Sequence, residues 1–181
     1  ILDTIHIFKK SIKKLIGLFI SLFLIFALGV TTSIAQQKTK IAGKIAAALT
    51  THSRINVGDT EGHIIFLEEY EGTNVSTGKE KFMDGVQDVT RGFGDLVMGN
   101  GTIQVYGKLS LNGDTVFYKF QGKIAPTLSP EGKPVNGFEL SFTYTKGTGK
   151  YENIQGSGTY KGFTSWGTLI GEWEGEYFIK K

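Results

Sequence analysis

The sequence predicts an all-β protein, an eight-stranded antiparallel β-barrel that follows an N-terminal signal peptide. Apolar and polar residues alternate along several segments of the second half, as they do in strands with one buried face. Turn signals recur about every 8 to 15 residues, and no segment beyond residue 35 has a convincing helical periodicity. Closure into a barrel is favoured because it leaves no sheet edge exposed.

The N-terminal segment has the three parts of a secretory signal peptide. Four lysines at positions 9, 10, 13 and 14 precede the apolar run 15–30, and Ser33 and Ala35 suit a cut before Gln36. We therefore predict a signal peptide over residues 1–35 and one barrel domain over 36–181, exported to the periplasm or the extracellular space. An uncleaved anchor is the alternative, although a run of about 16 residues is shorter than a typical membrane-spanning helix. Because residue 1 is Ile, we expect an upstream initiator or a fragment.

Charge and cysteine content exclude several classes of function. Residues 1–35 contain four lysines and one aspartate, so 16 basic and 16 acidic residues remain in the predicted domain. A neutral domain has no electrostatic footprint for nucleic acid or an anionic membrane, and we expect neither partner after cleavage. The absence of cysteine excludes thiol catalysis, thiolate metal sites and disulfides. No metal or cofactor is expected.

Three strands are predicted in the first half of the domain, over residues 41–55, 63–71 and about 84–91. The first is ambiguous because its alanines favour helix. A mobile loop is expected after the third strand, up to a hairpin turn at Asn100-Gly101.

Five more strands are predicted over residues 102–111, 115–124, 137–146, 157–163 and 168–179. Asn112-Gly113 indicates a hairpin between the first two of them. All three prolines of the chain fall within residues 126–136, which predicts a loop there because proline cannot donate to a sheet. Eight strands form a barrel that is either filled by side chains or holds one small ligand.

A glycine-rich stretch joins the predicted strand 137–146 to the next short strand, 157–163. Gly147-Thr148-Gly149-Lys150-Tyr151-Glu152, followed by Gly156-Ser157-Gly158-Thr159-Tyr160, resembles the Gly-x-Gly-(aromatic)-Glu-x-x-x-Gly signature of the allene oxide cyclase/dirigent-type barrel group, which includes uncharacterised exported bacterial members. The resemblance implies an eight-stranded, often oligomeric barrel with a hydrophobic cavity, which in the enzymes steers a reactive intermediate. Independently of ancestry, these glycines permit close backbone approach, and Gly156 and Gly158 suit a bulge at a corner.

The candidate ligand-binding residues are aromatic side chains that share the inward parity of the predicted strands. They can form a packed core or line a pocket, and the pattern does not separate the two. They are Phe66, Tyr70, Tyr118, Phe120, Phe138, Phe142, Tyr144, Trp173 and Tyr177.

Glu68 is the candidate catalytic residue, because it shares a face with Phe66 and Tyr70. If that face is interior, Glu68 is a buried carboxylic acid with a raised pKa that can act as a general acid. The opposite parity, with Ile65 and Leu67 inside, fits the pattern nearly as well.

The remaining charged clusters favour ordinary surface roles. The cluster of Arg54, Asp59, Glu61 and His63 is interpreted as a solvated turn rather than an acid–base set or a weak metal site. An ordinary ion pair is expected between Arg91 and Asp95. The alternating acidic residues 172, 174 and 176 indicate a wetted outer face rather than a calcium site.

Three functions remain open from the sequence. An exported barrel that binds a small apolar molecule without catalysis is preferred, because inward polar groups are scarce in the pattern. A cyclase or isomerase that steers a reactive hydrophobic substrate, with Glu68 as its ionisable group, is the enzyme alternative. The third is a structural envelope protein, and in each case a homo-oligomer is possible.

Overall fold

The structure is a computed structural model, and it describes residues 37–180. The predicted signal peptide and its cleavage site therefore lie outside the described residues. Within residues 37–180, no helix has the length and apolar character needed to cross a lipid bilayer.

Eight antiparallel strands form a closed barrel in which each strand pairs with the next and β8 pairs with β1. The predicted fold class is confirmed, and each predicted strand is present. The strands are β1 (Thr39–Asn56), β2 (His63–Ser76), β3 (Val86–Val97), β4 (Asn100–Leu111), β5 (Asp114–Leu128), β6 (Pro134–Thr148), β7 (Ile154–Ser165) and β8 (Thr168–Ile179).

The third strand is longer than predicted. The expectation of a mobile loop after residue 91 is wrong, because β3 continues to Val97 and pairs with β4 along this whole segment. The hairpin turn lies at Met98-Gly99, with φ angles of 51° and 78°, and not at Asn100-Gly101. Glycines obscured the strand pattern here, although Gly94 has a packing reason: a Cβ at this position would clash with the Phe66 ring.

The prolines interrupt the sheet less than predicted. The loop between β5 and β6 spans only residues 129–133, because β5 extends to Leu128 and β6 begins at Pro134. Pro126 pairs with Asn136 in β6, whereas the pairing of β5 with β4 stops at Ile124. No strand on the other side requires an N–H at Pro126, so proline is tolerated at this edge.

The two ends of the barrel differ, and we name them here. The mouth end carries the connections β1–β2, β3–β4, β5–β6 and β7–β8. The plug end carries the other three connections, and its loop 77–85 places Phe82 and Met83 inside the barrel, each only 1% exposed. Phe82 packs against Tyr151 and Tyr177, with ring centroids 5.3 and 5.0 Å away.

Asn74 fastens the plug loop to the barrel. Its side chain is fully buried, and Nδ2 donates to the carbonyl oxygens of Phe82 and Met83 at 3.1 and 2.7 Å. Its Oδ1 accepts a hydrogen bond of 2.8 Å from Nε1 of Trp173. Every polar atom of this amide group therefore has a partner, as a buried polar group requires.

The glycine-rich link contains a short 3-10 turn at Gly149–Tyr151 before β7 begins. The predicted bulge at Gly156 and Gly158 is wrong, because β7 pairs with β8 through both residues without a shift in register. Close approach explains Gly158 instead, since a Cβ there would clash with the Phe142 ring.

Candidate ligand-binding site

A cavity of about 60 Å³ lies in the half of the barrel nearer the mouth end. It reaches solvent there, because its lining residues Glu68, Thr164 and Leu169 are partly exposed. A single water needs roughly 10–15 Å³, whereas an engineered cavity that binds benzene measures roughly 150 Å³. The cavity therefore accommodates a few heavy atoms. Its apolar lining includes Ile45, Phe66, Ile103, Phe120, Ile124, Phe138 and Leu140.

The parity of β2 places Glu68 in this cavity. Phe66 and Tyr70 are buried, whereas Ile65 and Leu67 are 42% and 61% exposed, so the first of the two predicted parities is the one observed. Oε1 of Glu68 lies 3.1 Å from Nδ1 of His52 at the rim. Burial, together with the charge of Glu68 and a hydrogen bond to it, raises the pKa of the Tyr70 hydroxyl. The predicted role of Glu68 as a general acid stays a prediction.

Asp88 is the more deeply buried carboxyl group of the cavity. It is 2% exposed and lies on β3 between the inward-facing residues Val86 and Thr90. The Tyr118 hydroxyl donates a hydrogen bond to its carboxylate. Burial outweighs this bond and raises the pKa of Asp88 to about 6. Both protonation states of Asp88 are therefore accessible close to neutral pH.

The hydroxyl group of Tyr160 also lies in the cavity wall, next to Asp88. Tyr160 is 4% exposed, and its oxygen has no hydrogen-bond partner among the described residues. Burial, followed by the charge of Asp88, raises the pKa of this hydroxyl. A buried hydroxyl without a hydrogen-bond partner lowers the stability of the folded protein by about 1–3 kcal/mol. A ligand atom that bonds to this hydroxyl would recover part of that loss.

Sequence reasoning missed Asp88 and Tyr160. The signal for Asp88 was its parity with Val86 and Thr90, which the surrounding glycines hid. The signal for Tyr160 was its parity with the glycines at 158 and 162, which leave space for large rings from neighbouring strands.

The nine predicted aromatic residues divide between the cavity and the packed core. Phe66, Tyr70, Phe120 and Phe138 line the cavity, and Tyr118 contacts it through Asp88. The other four lie nearer the plug end. Tyr144, Trp173 and Tyr177 pack around Phe82, with ring centroids 5.0 to 6.1 Å from it. Phe142 packs on Tyr144, with 5.5 Å between the ring centroids.

The charged cluster at the first turn forms ion pairs on the surface. His63 lies between two carboxylates, with Nδ1 2.5 Å from Asp59 and Nε2 2.8 Å from Asp95. These hydrogen bonds raise the pKa of His63, and the bond to His63 lowers that of Asp59. Across residues 37–180, no group of three or more potential ligand side chains is placed to hold a metal ion.

Two other surface predictions have different outcomes. The expected pair of Arg91 with Asp95 is wrong, because Arg91 instead contacts Glu69 on β2, with 2.5 Å between Nε and Oε2. The acidic residues of β8 are on the wetted face as predicted. Among them, Glu172 pairs with Lys44 at 2.7 Å, and this hydrogen bond lowers the pKa of Glu172.

Comparison with known proteins yields structural similarities but no sequence match. No protein-family model matches the chain, and no curated protein matches it. A solved structure of a pterocarpan synthase dirigent protein is similar, with 13% sequence identity and a TM-score of 0.32, covering 81% of this chain and 92% of the other. The closed barrel is established by the pairing of the chain's own eight strands. The similarity assigns no role to any residue of this chain.

Proposed function

We propose that the protein is an exported barrel that binds a small, mainly apolar molecule with one polar group, in the cavity of its mouth half. The observation that carries this proposal is the unpaired hydroxyl of Tyr160 beside Asp88 in an otherwise apolar wall. A pocket with a few convergent polar groups and a shifted pKa has the usual character of a ligand site.

The size of the cavity defines how the ligand enters. About 60 Å³ holds only a few heavy atoms, so the polar end of the ligand lies inside and its apolar remainder extends to the mouth. Tyr160 donates to an oxygen of the ligand. Asp88 accepts a hydrogen bond when ionised and can donate one when protonated.

The test is equilibrium binding of a fluorescent fatty acid and of a flat aromatic ketone to the wild type and Tyr160→Phe. We expect saturable binding that is weakened about tenfold by the loss of one hydrogen bond, which corresponds to about 1.4 kcal/mol. Tyr144→Phe is the matched control, because Tyr144 is a tyrosine of the plug-end core, and its removal leaves the affinity unchanged. Absence of saturable binding contradicts the proposal, as does an equal affinity for Tyr160→Phe.

A second candidate, a cyclase or isomerase, is favoured by the presence of two carboxyl groups in one cavity. Glu68 and Asp88 both line it. Burial raises the pKa of Asp88 to about 6, closer to the working range of a general acid or base. In this reading Asp88 transfers the proton, and Glu68 lies nearer the rim.

The enzyme candidate is tested by incubating the protein with conjugated enones and epoxides and analysing the products by chiral chromatography. Asp88→Asn should abolish any stereoselective turnover. An unchanged rate in Glu68→Gln removes the role predicted for Glu68, and ligand binding without turnover of any probe contradicts the enzyme candidate alone.

A further inference from the structure

Large apolar side chains are exposed around the whole mouth end. Trp166 in the β7–β8 turn is 101% exposed and Met98 in the β3–β4 turn 63%. Leu128, at the end of β5, is 64% exposed, and Val57, in the β1–β2 connection, 41%. Each of the four hairpins of this end therefore presents an apolar group to solvent. We call these four residues the mouth tips.

The plug end has the opposite character. Its connections bury their apolar residues, Phe82, Met83 and Tyr151, and expose polar ones such as Lys79 and Lys150. Val75, near the end of β2, and Leu111, the last residue of β4, are exceptions at 49% and 38% exposed. An apolar surface is thus concentrated at the end where the cavity opens.

Two of the mouth tips occupy an unfavourable backbone conformation. Trp166 has a φ of 49° and Met98 a φ of 51°, each in a two-residue turn that ends in glycine. This position of a hairpin turn favours Asn, Asp or Gly, because other side chains are strained at positive φ. The equivalent turn of the plug end follows that rule, with Asn112 at a φ of 51°. Fold stability therefore does not explain Trp166.

We propose that the mouth end docks on the surface of a lipid bilayer, with the mouth tips inserted at the level of the headgroups. The apolar groups are carried on four separate hairpins, with charged residues such as Glu61, Glu131 and Lys133 nearby. Separate apolar tips fit a fluid interface, which adapts to them. Indole rings in particular favour the membrane–water interface.

The charges around the mouth favour zwitterionic lipid. Carboxylates at Asp59, Glu61, Asp95 and Glu131 are accompanied by Arg54, Lys133 and by His63 between two of them, so the described residues of this end form no cationic cluster that would attract anionic headgroups. The earlier expectation of no membrane partner rested on charge alone, and apolar insertion is a different cause of binding. Docking does not require the proposed ligand, although an apolar ligand would reach the cavity directly from the bilayer.

The test follows the fluorescence of Trp166 with vesicles of phosphatidylcholine. An uncleaved chain binds vesicles through residues 15–30 whatever the barrel does, so the position of Trp166 is the readout rather than sedimentation. The only other tryptophan, Trp173, is 7% exposed and gives a constant background. We expect a blue shift and quenching by brominated phosphatidylcholine. Both should weaken in Met98→Asn, which retains Trp166, and both should be independent of salt.

Trp166→Asn measures the contribution of the turn to folding. Asparagine suits this turn position, so the melting temperature should rise by about 2–6 °C. Because this variant lacks the reporter, the loss of docking is measured in Met98→Asn, in which the quenching of Trp166 should fall. The double variant Trp166→Asn/Asn112→Trp is the matched control, because it places tryptophan in the equivalent turn of the plug end, where quenching is not expected.

Three results would overturn the proposal. The first is equal quenching of the wild type and of the double variant. The second is a marked increase in quenching when phosphatidylglycerol is added, which would indicate charge attraction. The third is a lipid-free oligomer, detected by analytical ultracentrifugation, that Trp166→Asn dissociates, since the mouth tips would then bind a second copy of this chain.

Discussion

The plug end and the mouth half of the same barrel treat buried polar groups differently. At the plug end, the amide of Asn74 has a partner for each of its polar atoms. In the mouth half, Asp88 is held by Tyr118 alone in the described part of the chain, and the Tyr160 hydroxyl is unpaired there. The fully hydrogen-bonded amide of Asn74 holds a loop in place. Asp88 and Tyr160, in contrast, keep polar atoms beside the cavity that can still form hydrogen bonds. The fully bonded network and the proposed ligand site thus lie in different halves of one sheet.

Removal of the plug should give the largest loss of stability. Phe82→Ala deletes a ring that is 1% exposed and packed on four aromatic rings, so we expect about 3–5 kcal/mol less free energy of unfolding in urea. Phe93→Ala is the control, because Phe93 is 45% exposed, and it should cost less than about 1 kcal/mol. Similar losses for both variants would show that the plug end is not the stability centre.

Loss of the Asn74 amide should have the next largest effect. Asn74→Ala leaves two carbonyl oxygens and the Trp173 indole N–H without this partner, and we expect a loss of about 2–4 kcal/mol. The emission of Trp173 should shift as well, because its surroundings loosen. Thr50→Ala is a suitable control, since the Thr50 hydroxyl bonds at an exposed position. A stability within 0.5 kcal/mol of the wild type, as is usual for surface changes, would contradict the fastening role of Asn74.

Asp88 should make the mouth half sensitive to pH. Its pKa is raised from 3.8 to about 6 on folding, so the folded chain retains the proton while the unfolded chain loses it. The free energy of unfolding therefore falls as pH rises between about 4 and 6, by about 3 kcal/mol from this group, and is unaffected by it below and above that window.

Asp88→Asn should remove this fall. Urea unfolding of the variant and the wild type across pH 4 to 8 measures the difference between the two, which cancels the other titrating groups. We expect the variant to gain relative stability as pH rises. Parallel profiles for both proteins would show that Asp88 is not held in a desolvated site.

The smallest expected effect is that of Tyr160→Phe on stability without ligand. The hydroxyl has no partner in the described structure, so its removal should change the free energy of unfolding by less than about 1 kcal/mol, or stabilise the fold. Tyr118→Phe is the comparison, because it takes away the donor of Asp88 and should destabilise by about 1–3 kcal/mol above pH 6. If Tyr160→Phe costs as much as Tyr118→Phe, the Tyr160 hydroxyl has a partner of its own.

The strands could be predicted from the sequence because one side of each strand is buried and the other is wet. Prediction failed where glycine or proline replaced the expected side chain. Gly92 and Gly94 in β3 occupy inward positions where a ring or a valine from a neighbouring strand fills the space, so the apolar signal of the strand is carried by its neighbours. Pro126 is tolerated because the pairing of β5 with β4 stops at Ile124, so β4 requires no N–H from residue 126.

The site was harder to predict than the fold for a related reason. Parity alone indicated that Phe120 and Phe138 face inward. It could not show that Tyr144 and Trp173 pack against Phe82, because a loop inserts that ring from outside the strand pattern. The buried position of Asp88 depends on the register between β3 and β4, and a single sequence carries no direct record of that register.

The order of the strands also determines when this barrel can become complete. Seven of its eight pairings join strands that are adjacent in sequence and can form as hairpins, whereas the pairing of Thr39 with Tyr177 joins the first strand to the last. That contact closes the longest loop in the domain, and the entropy of closing it makes it the slow, final step. A chain synthesised from its N-terminus cannot take this step until β8 has been made. If the proposed export takes place before folding, it would benefit from such a delay.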